Sequence, residues 1–270
     1  MINIKINSKK PIIIIDGSYY IFNRYFATYK WFQFQNKLID INNEDDNKMF
    51  NEAFVKHMKN DFTKIVKKLK TINDNIIICM DCPRNTIWRN KIFPNYKITR
   101  SQKVNFNKDV FKYFYDYLEF NNISHISYNN LEGDDVVYLI QKKIVDTNNN
   151  VNIIIITNDN DYLQLISKNI KVINMQFKDI SLRGTLNPKI DLLFKVIYGD
   201  KSDNIPKILN SLTKDTALKL ALINDDDRNK FLIENNIKEK YDINMTLICL
   251  EKIPEYLSDE FYKYLNIMID

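Results

Sequence analysis

The chain has 270 residues, 45% hydrophobic and 27% charged, enough to bury one large α/β domain or a catalytic domain with a small helical companion, and too apolar for wholesale disorder. No apolar run reaches the length of a membrane span, and residues 1–10 carry no signal-peptide pattern. The three cysteines, Cys79, Cys82 and Cys249, are odd in number and suit a reducing intracellular compartment, while a net charge of +5 says little until the distribution of acids is considered.

In chain order, the first element is the run Ile12, Ile13, Ile14, Ile15, which reads as a strand covered on both faces and ends at Asp16. Phe50, Phe54, Met58, Phe62, Ile65 and Leu69 recur at helical spacing. A second strand, residues 76–80, is followed by Asp81. Phe106, Val110, Phe111, Phe114, Tyr115 and Leu118 form an apolar stripe that reads as packing, with Lys103 before it and Lys108 and Lys112 within it as candidate phosphate contacts. Glu132, Asp134 and Asp135 then open a helical pattern over 136–145, with Glu132 and Asp135 on one face of its first turn. A third strand, 153–156, is followed by Asp159 and Asp161, and the tail 234–270 reads as helical.

Alternating strands and helices imply an α/β layer fold, in which the carboxyl ends of parallel strands open onto one crevice. Any single acid at a strand end is most simply a cap or turn former. Seven converging acids would repel one another unless a cation held them, and the implied ion is Mg²⁺ or Mn²⁺. Zinc is disfavoured, because the two histidines, His57 and His125, stand in unrelated positions. Cys79 and Cys82 have Cys-x-x-Cys spacing, but no second pair accompanies them.

Five motifs follow one another across residues 12–220: Ile15-Asp16-Gly17-Ser18; Asp81-Cys82-Pro83-Arg84 through Arg89 to Tyr96-Lys97 and Arg100; Glu132-Gly133-Asp134-Asp135; Thr157-Asn158-Asp159-Asn160-Asp161; and Gly199-Asp200-Lys201-Ser202-Asp203-Asn204-Ile205-Pro206. In this order and spacing the chain resembles the 5′ nuclease superfamily of flap endonucleases, phage 5′→3′ exonucleases and the 5′ nuclease domain of bacterial DNA polymerases. The resemblance implies a PIN-like, twisted, mostly parallel sheet with helices on both faces, a helical arch and a C-terminal helix–three-turn–helix. Residues 1–190 would form the catalytic domain, with the arch at about 86–122, and 191–270 a helical DNA-binding region.

The same resemblance implies roles. Asp16, Asp81, Glu132, Asp134 and Asp135 would surround one divalent ion, and Asp159, Asp161 and Asp203 a second, with Asp200 in an outer shell or capping the helix that follows. Lys97 would stabilise the scissile phosphate, flanked by Arg89 and Arg100. Tyr96 would stack on a base, and Arg24 would serve as the arginine that follows the first motif, shifted by one residue. Beside these implied roles, Lys207, Lys214 and Lys219 are candidates to supply charge for duplex binding, and Lys103 for phosphate contact. The family's glycine-rich turn after the fifth motif is missing here, which puts its K⁺ site in question.

With eight of the 34 acids engaged by metal, 26 remain against 39 basic residues, a surface suited to a polyanion. The expected substrate is DNA with a 5′ flap or free 5′ end, or an RNA primer on DNA, acted on by a monomer. Two other readings stay open: a related PIN-like RNase, and a catalytically inactive DNA-junction scaffold.

Overall fold

The computed structural model describes residues 2–99 and 106–270, so Arg100 and Lys103 lie outside the described residues. Five strands form one all-parallel sheet: β2 (Ile12–Asp16), β3 (Ile76–Cys79), β4 (Ser124–Ile126), β5 (Ile153–Ile156) and β6 (Ile170–Ile173), in the order β4-β3-β2-β5-β6. A separate parallel pair joins β1 (Ile2–Ile6) to β7 (Leu265–Ile269), with Ile2 opposite Leu265 and Ile6 opposite Ile269.

The isoleucine runs create two cores because side chains alternate across a strand. Ile13 and Ile15 of β2, with Ile76 and Ile78 of β3, face a layer built from α1 (Gly17–Phe34), α2 (Glu44–Leu69) and α3 (Asp109–Phe120), where Tyr20, Phe54, Phe62 and Phe114 pack. Ile12, Ile14, Ile77 and Ile153 face the opposite layer, which contains Val136 and Ile140 of α4 (Gly133–Thr147) and Phe261 of α9 (Glu255–Tyr264). The stripe of α3 is core, since Val110, Phe114 and Leu118 are fully buried.

A third core joins α5 (Pro188–Tyr198), α6 (Lys214–Leu222), α7 (Asp225–Glu234) and α8 (Lys238–Ile248), and also takes in Ile87 and Tyr96. The segment between α5 and α6 starts at Gly199, whose φ of +75° favours glycine, and where a Cβ would sit 2.5 Å from the Ile205 carbonyl oxygen. The glycine-free stretch beyond it is closed by Lys207, whose ammonium donates to the Leu212 carbonyl at 2.8 Å and lies 4.3 Å from the centre of the Tyr198 ring. Lys207 is thus engaged within the fold and half-exposed. Lys214 and Lys219 are exposed on α6.

The tail departs from the all-helical expectation. Leu265-Asn266-Ile267-Met268-Ile269 alternates buried and exposed positions and pairs with β1, for which no element was expected within residues 1–10.

Candidate active site

Asp16, Asp81, the Glu132–Asp135 group, Asp159 and Asp161 lie at the carboxyl end of the parallel sheet, because each follows a strand directly or opens the helix after one, whereas Asp200 and Asp203 follow α5. Asp16 ends β2 and caps α1, its Oδ1 accepting from the Tyr19 amide at 2.9 Å. Asp81 lies just past β3; its Oδ2 accepts from the Ser18 hydroxyl and its Oδ1 from the Gly133 amide, both at 2.6 Å. Those two bonds tie the first three sequence motifs together. Asp16, Asp81, Glu132, Asp134 and Asp159 line one cleft of about 980 Å³, which Arg84, Lys97 and Lys108 also reach.

The electrostatics of this cleft are those of crowded anions. Burial, then Asp81, pushes the Asp16 carboxyl up to about 7, even though its Oδ2 accepts from Thr157 Oγ1 at 3.1 Å and from the Tyr162 hydroxyl at 3.2 Å. Burial, then Asp135, pushes Asp134 up to about 6. Among the described residues neither Asp16 nor Asp134 forms an ion pair. Hard oxygen donors that resist ionisation together are what a divalent cation relieves, so the residues present fit such an ion.

The raised values fix a sign. Between about pH 4 and 7 the folded chain holds a proton on Asp16 that the unfolded chain has lost, so metal-free stability falls as pH rises through that window. A divalent ion needs those carboxylates deprotonated. The melting temperature gained on adding Mn²⁺ is therefore expected to be larger at pH 7.5 than at pH 5, and thermal melts with and without metal at both pH values check it. Equal gains would count against a metal held by Asp16.

Glu132, which lines the cleft, and Asp135, which lies beneath it, are both held by cations. They form a capping box at the start of α4. Arg89, 1% exposed, donates to Asp135 through Nη2 at 2.7 Å and Nη1 at 2.8 Å, to Glu132 through Nη1 at 2.9 Å, and through Nε to the Leu247 carbonyl at 2.8 Å. Burial opposes its charge, but Asp135 and its neighbours hold the guanidinium well above its ordinary range. Asp135 also accepts from the Trp88 indole at 2.9 Å.

The phosphate contact expected of Arg89 is therefore corrected: the guanidinium has no face toward the cleft. Asp135, with both oxygens spoken for, braces the site from beneath. Tyr96 is corrected likewise. It is buried and donates to Glu132 at 2.9 Å and to Asp203 at 3.3 Å, so it is not a base platform.

Lys97 reaches the cleft from the same segment. Its ammonium lies 2.5 Å from Glu132 and 3.6 Å from Asp203. Its φ of +53°, unusual for a lysine, is held by its own amide donating to the Asp203 carbonyl at 3.0 Å. Arg24 is placed elsewhere. It pairs with Asp61 at 2.8 Å between α1 and α2 and does not line the cleft, so its catalytic assignment is corrected.

The remaining acids form a second group: Asp161, Asp200 and Asp203 offer oxygens within 4.8 Å of one another, as do Glu132, Asp134 and Asp135. Asp200 caps the turn over 201–203 through the Ser202 amide. Lys195 of α5 pairs with both Asp161 and Asp200, and the Asp200 carboxyl stays below its ordinary range, its burial outweighed by Lys195. The sequence motifs contained Ser18 and Thr157, and Tyr162 continues the fourth of them, but none was given a role, and Lys195 lay outside them. Lys195 has a signal, since it is a charged residue among the apolar ones that end α5.

Comparisons with known proteins follow the same lines. Residues 11–189 match the family described as the 5′-3′ exonuclease, N-terminal resolvase-like domain. A 5′-3′ exonuclease of Buchnera aphidicola subsp. Schizaphis graminum is 32% identical over 208 residues, which cover 74% of this chain and 66% of that protein. The chain spans slightly less than two thirds of the length of these exonuclease relatives, between 63% and 66%. A protein of Enterobacteria phage T4 named Ribonuclease H is 24% identical, over 83% of this chain and 81% of its own length. Among solved structures, the T5 D15 protein co-crystallized with metal ions superposes with a TM-score of 0.64 at 16% identity, over 94% of this chain and 98% of that one, which shows a shared fold.

Proposed function

Because the chain belongs to the 5′-3′ exonuclease family, we propose that it is a divalent-metal-dependent nuclease that hydrolyses phosphodiester bonds at 5′ ends and 5′ flaps of DNA. One observation carries the reading. Carboxylates from four separate segments meet in one cleft, and burial with neighbouring carboxylates raises two of them, Asp16 to about 7 and Asp134 to about 6.

Two divalent ions, Mg²⁺ or Mn²⁺, would supply a hydroxide nucleophile, charge neutralisation at the phosphoryl oxygens and support for the leaving oxygen. Asp16, Asp81, Glu132 and Asp134, with Asp159, fit one position. Asp161, Asp200 and Asp203 fit the other. Lys97, pre-aimed by Glu132 and its own backbone bond, stabilises charge that grows on the phosphate in the transition state. Tyr96 and Arg89 position Glu132 through hydrogen bonds and touch no substrate. Arg84 and Lys108 line the cleft and suit the phosphates of the incoming strand. Residues 1–190 would be the catalytic unit, with an arch at about 86–122. The α5–α6 region would be the helix–three-turn–helix that meets duplex, through the exposed Lys214 and Lys219.

A second substrate, RNA hybridised to DNA, is favoured by the similarity to the T4 protein named Ribonuclease H. One experiment tests both. A labelled 5′-flap duplex, in all-DNA and RNA-flap versions, is incubated with Mg²⁺, with Mn²⁺ and with chelator. Cleavage near the junction or from the 5′ end, abolished by chelator, is expected. Binding without cleavage in either metal would overturn the reading.

A further inference from the structure

The two acid groups differ in where a tethered cation sits: in the first, Lys97 and Arg89 pair with Glu132, while Asp16 and Asp134 form no ion pair among the described residues. Asp16, Asp81 and Asp134 are held by hydrogen bonds from Ser18, Tyr19, Gly133, Thr157 and the Asp135 amide. The Asp161–Asp200–Asp203 group contains a covalently tethered cation. The Lys195 ammonium bridges Asp161 and Asp200, at 2.7 Å from the latter. The two carboxylates come from different segments, one after β5 and one after α5. An ammonium and a divalent ion draw on the same oxygen lone pairs, so they compete for this place. The Lys195 side chain is 21% exposed, which gives the ammonium a solvent-side exit that leaves α5 intact.

We propose that Lys195 is a counter-ion that keeps the Asp161–Asp200–Asp203 group closed and must be displaced for a divalent ion to load there. The two metal positions then fill in order, the Asp16–Asp81–Asp134 position first. Lys195 is a positioning residue, acting on carboxylates rather than on substrate. The inference rests on the reading of the cleft as a divalent-metal site.

Mn²⁺ titration of the full chain without DNA, by calorimetry, separates the two ideas. Wild type is expected to bind one ion tightly and one weakly. Lys195→Met is expected to tighten the weaker class by about tenfold or more, the scale of one charge-assisted contact. Lys195→Arg, which keeps a cation, is expected to stay near wild type. Unchanged or weakened second-site affinity in Lys195→Met overturns the proposal while leaving the metal reading intact. Absence of Mn²⁺ binding to wild type overturns the metal reading and this inference with it. Should Lys195→Met fail to fold by circular dichroism, a Mn²⁺-bound structure of wild type decides. Lys195 withdrawn from Asp161 and Asp200 supports displacement, and Lys195 still bridging both beside a bound ion excludes it.

Discussion

Asp134→Asn is expected to lower the rate of metal-dependent cleavage by about a hundredfold to a thousandfold while raising the melting temperature of the metal-free protein. Two facts about Asp134 combine to give opposite signs. Burial and the neighbouring Asp135 push its carboxyl up to about 6, so at neutral pH its charge is held against resistance and the metal-free fold is weakened by it. The asparagine amide oxygen can still accept from the Asp135 backbone amide, a bond of 2.8 Å in the wild type, so the start of α4 is preserved. What is lost is a charged oxygen donor in the cleft. Rates on a flap substrate and thermal melts in chelator check the two halves separately. A variant that cuts at the wild-type rate would remove Asp134 from the site, and one that melts lower would show that its charge is already compensated in the fold.

Arg89→Met is expected to destabilise the fold by about 3–5 kcal/mol, seen as a shift in the urea midpoint, and to lose activity chiefly because the protein unfolds. The arginine is 1% exposed and engages both oxygens of a fully buried aspartate, one oxygen of Glu132 and the Leu247 carbonyl. Its removal leaves Asp135 in the interior with no counter-charge and Glu132 with Lys97 alone. Asp135→Asn should act in the same direction from the other side of the pair. A phosphate-contacting arginine would behave differently: the variant would keep its stability and lose DNA affinity with a shallower salt dependence. Comparing urea midpoints with DNA affinity at two salt concentrations distinguishes these outcomes.

How far the sequence carried the structure depended on whether the signal was local. The strands at Ile12, Ile76 and Ile153 were legible because an unbroken β-branched run has few alternatives to a strand buried on both faces, and the acids after them inherit their place from the strand. The pair β1–β7 was not legible. Ile-Asn-Ile-Lys-Ile and Leu-Asn-Ile-Met-Ile are short, mixed runs whose only partner is each other, and nothing near either one announces it. The acid set suffered the same limit one level down. Residue type and spacing located the acids, but not whether each one points to solvent or to a cation of its own. Arg89 and Asp135 look like two surface charges until the fold brings them together across 46 positions. The pairing of Lys195 with Asp161 and Asp200 likewise comes from tertiary contact. Arg24 failed for a different reason: position after a motif specifies a helix face only to within a residue, and here that face turns to Asp61.

The parallel pairing of Ile2–Ile6 with Leu265–Ile269 sets an order of events during synthesis. The five-stranded sheet has all its members once Ile173 has been made, whereas the first strand must wait for nearly the whole chain before its partner exists. Until then Ile4 and Ile6, both fully or almost fully covered in the finished fold, lack the cover that β7 supplies. The β1–β7 pair is therefore the contact of greatest sequence separation in the fold's strand pairing, and it forms after the sheet strands exist.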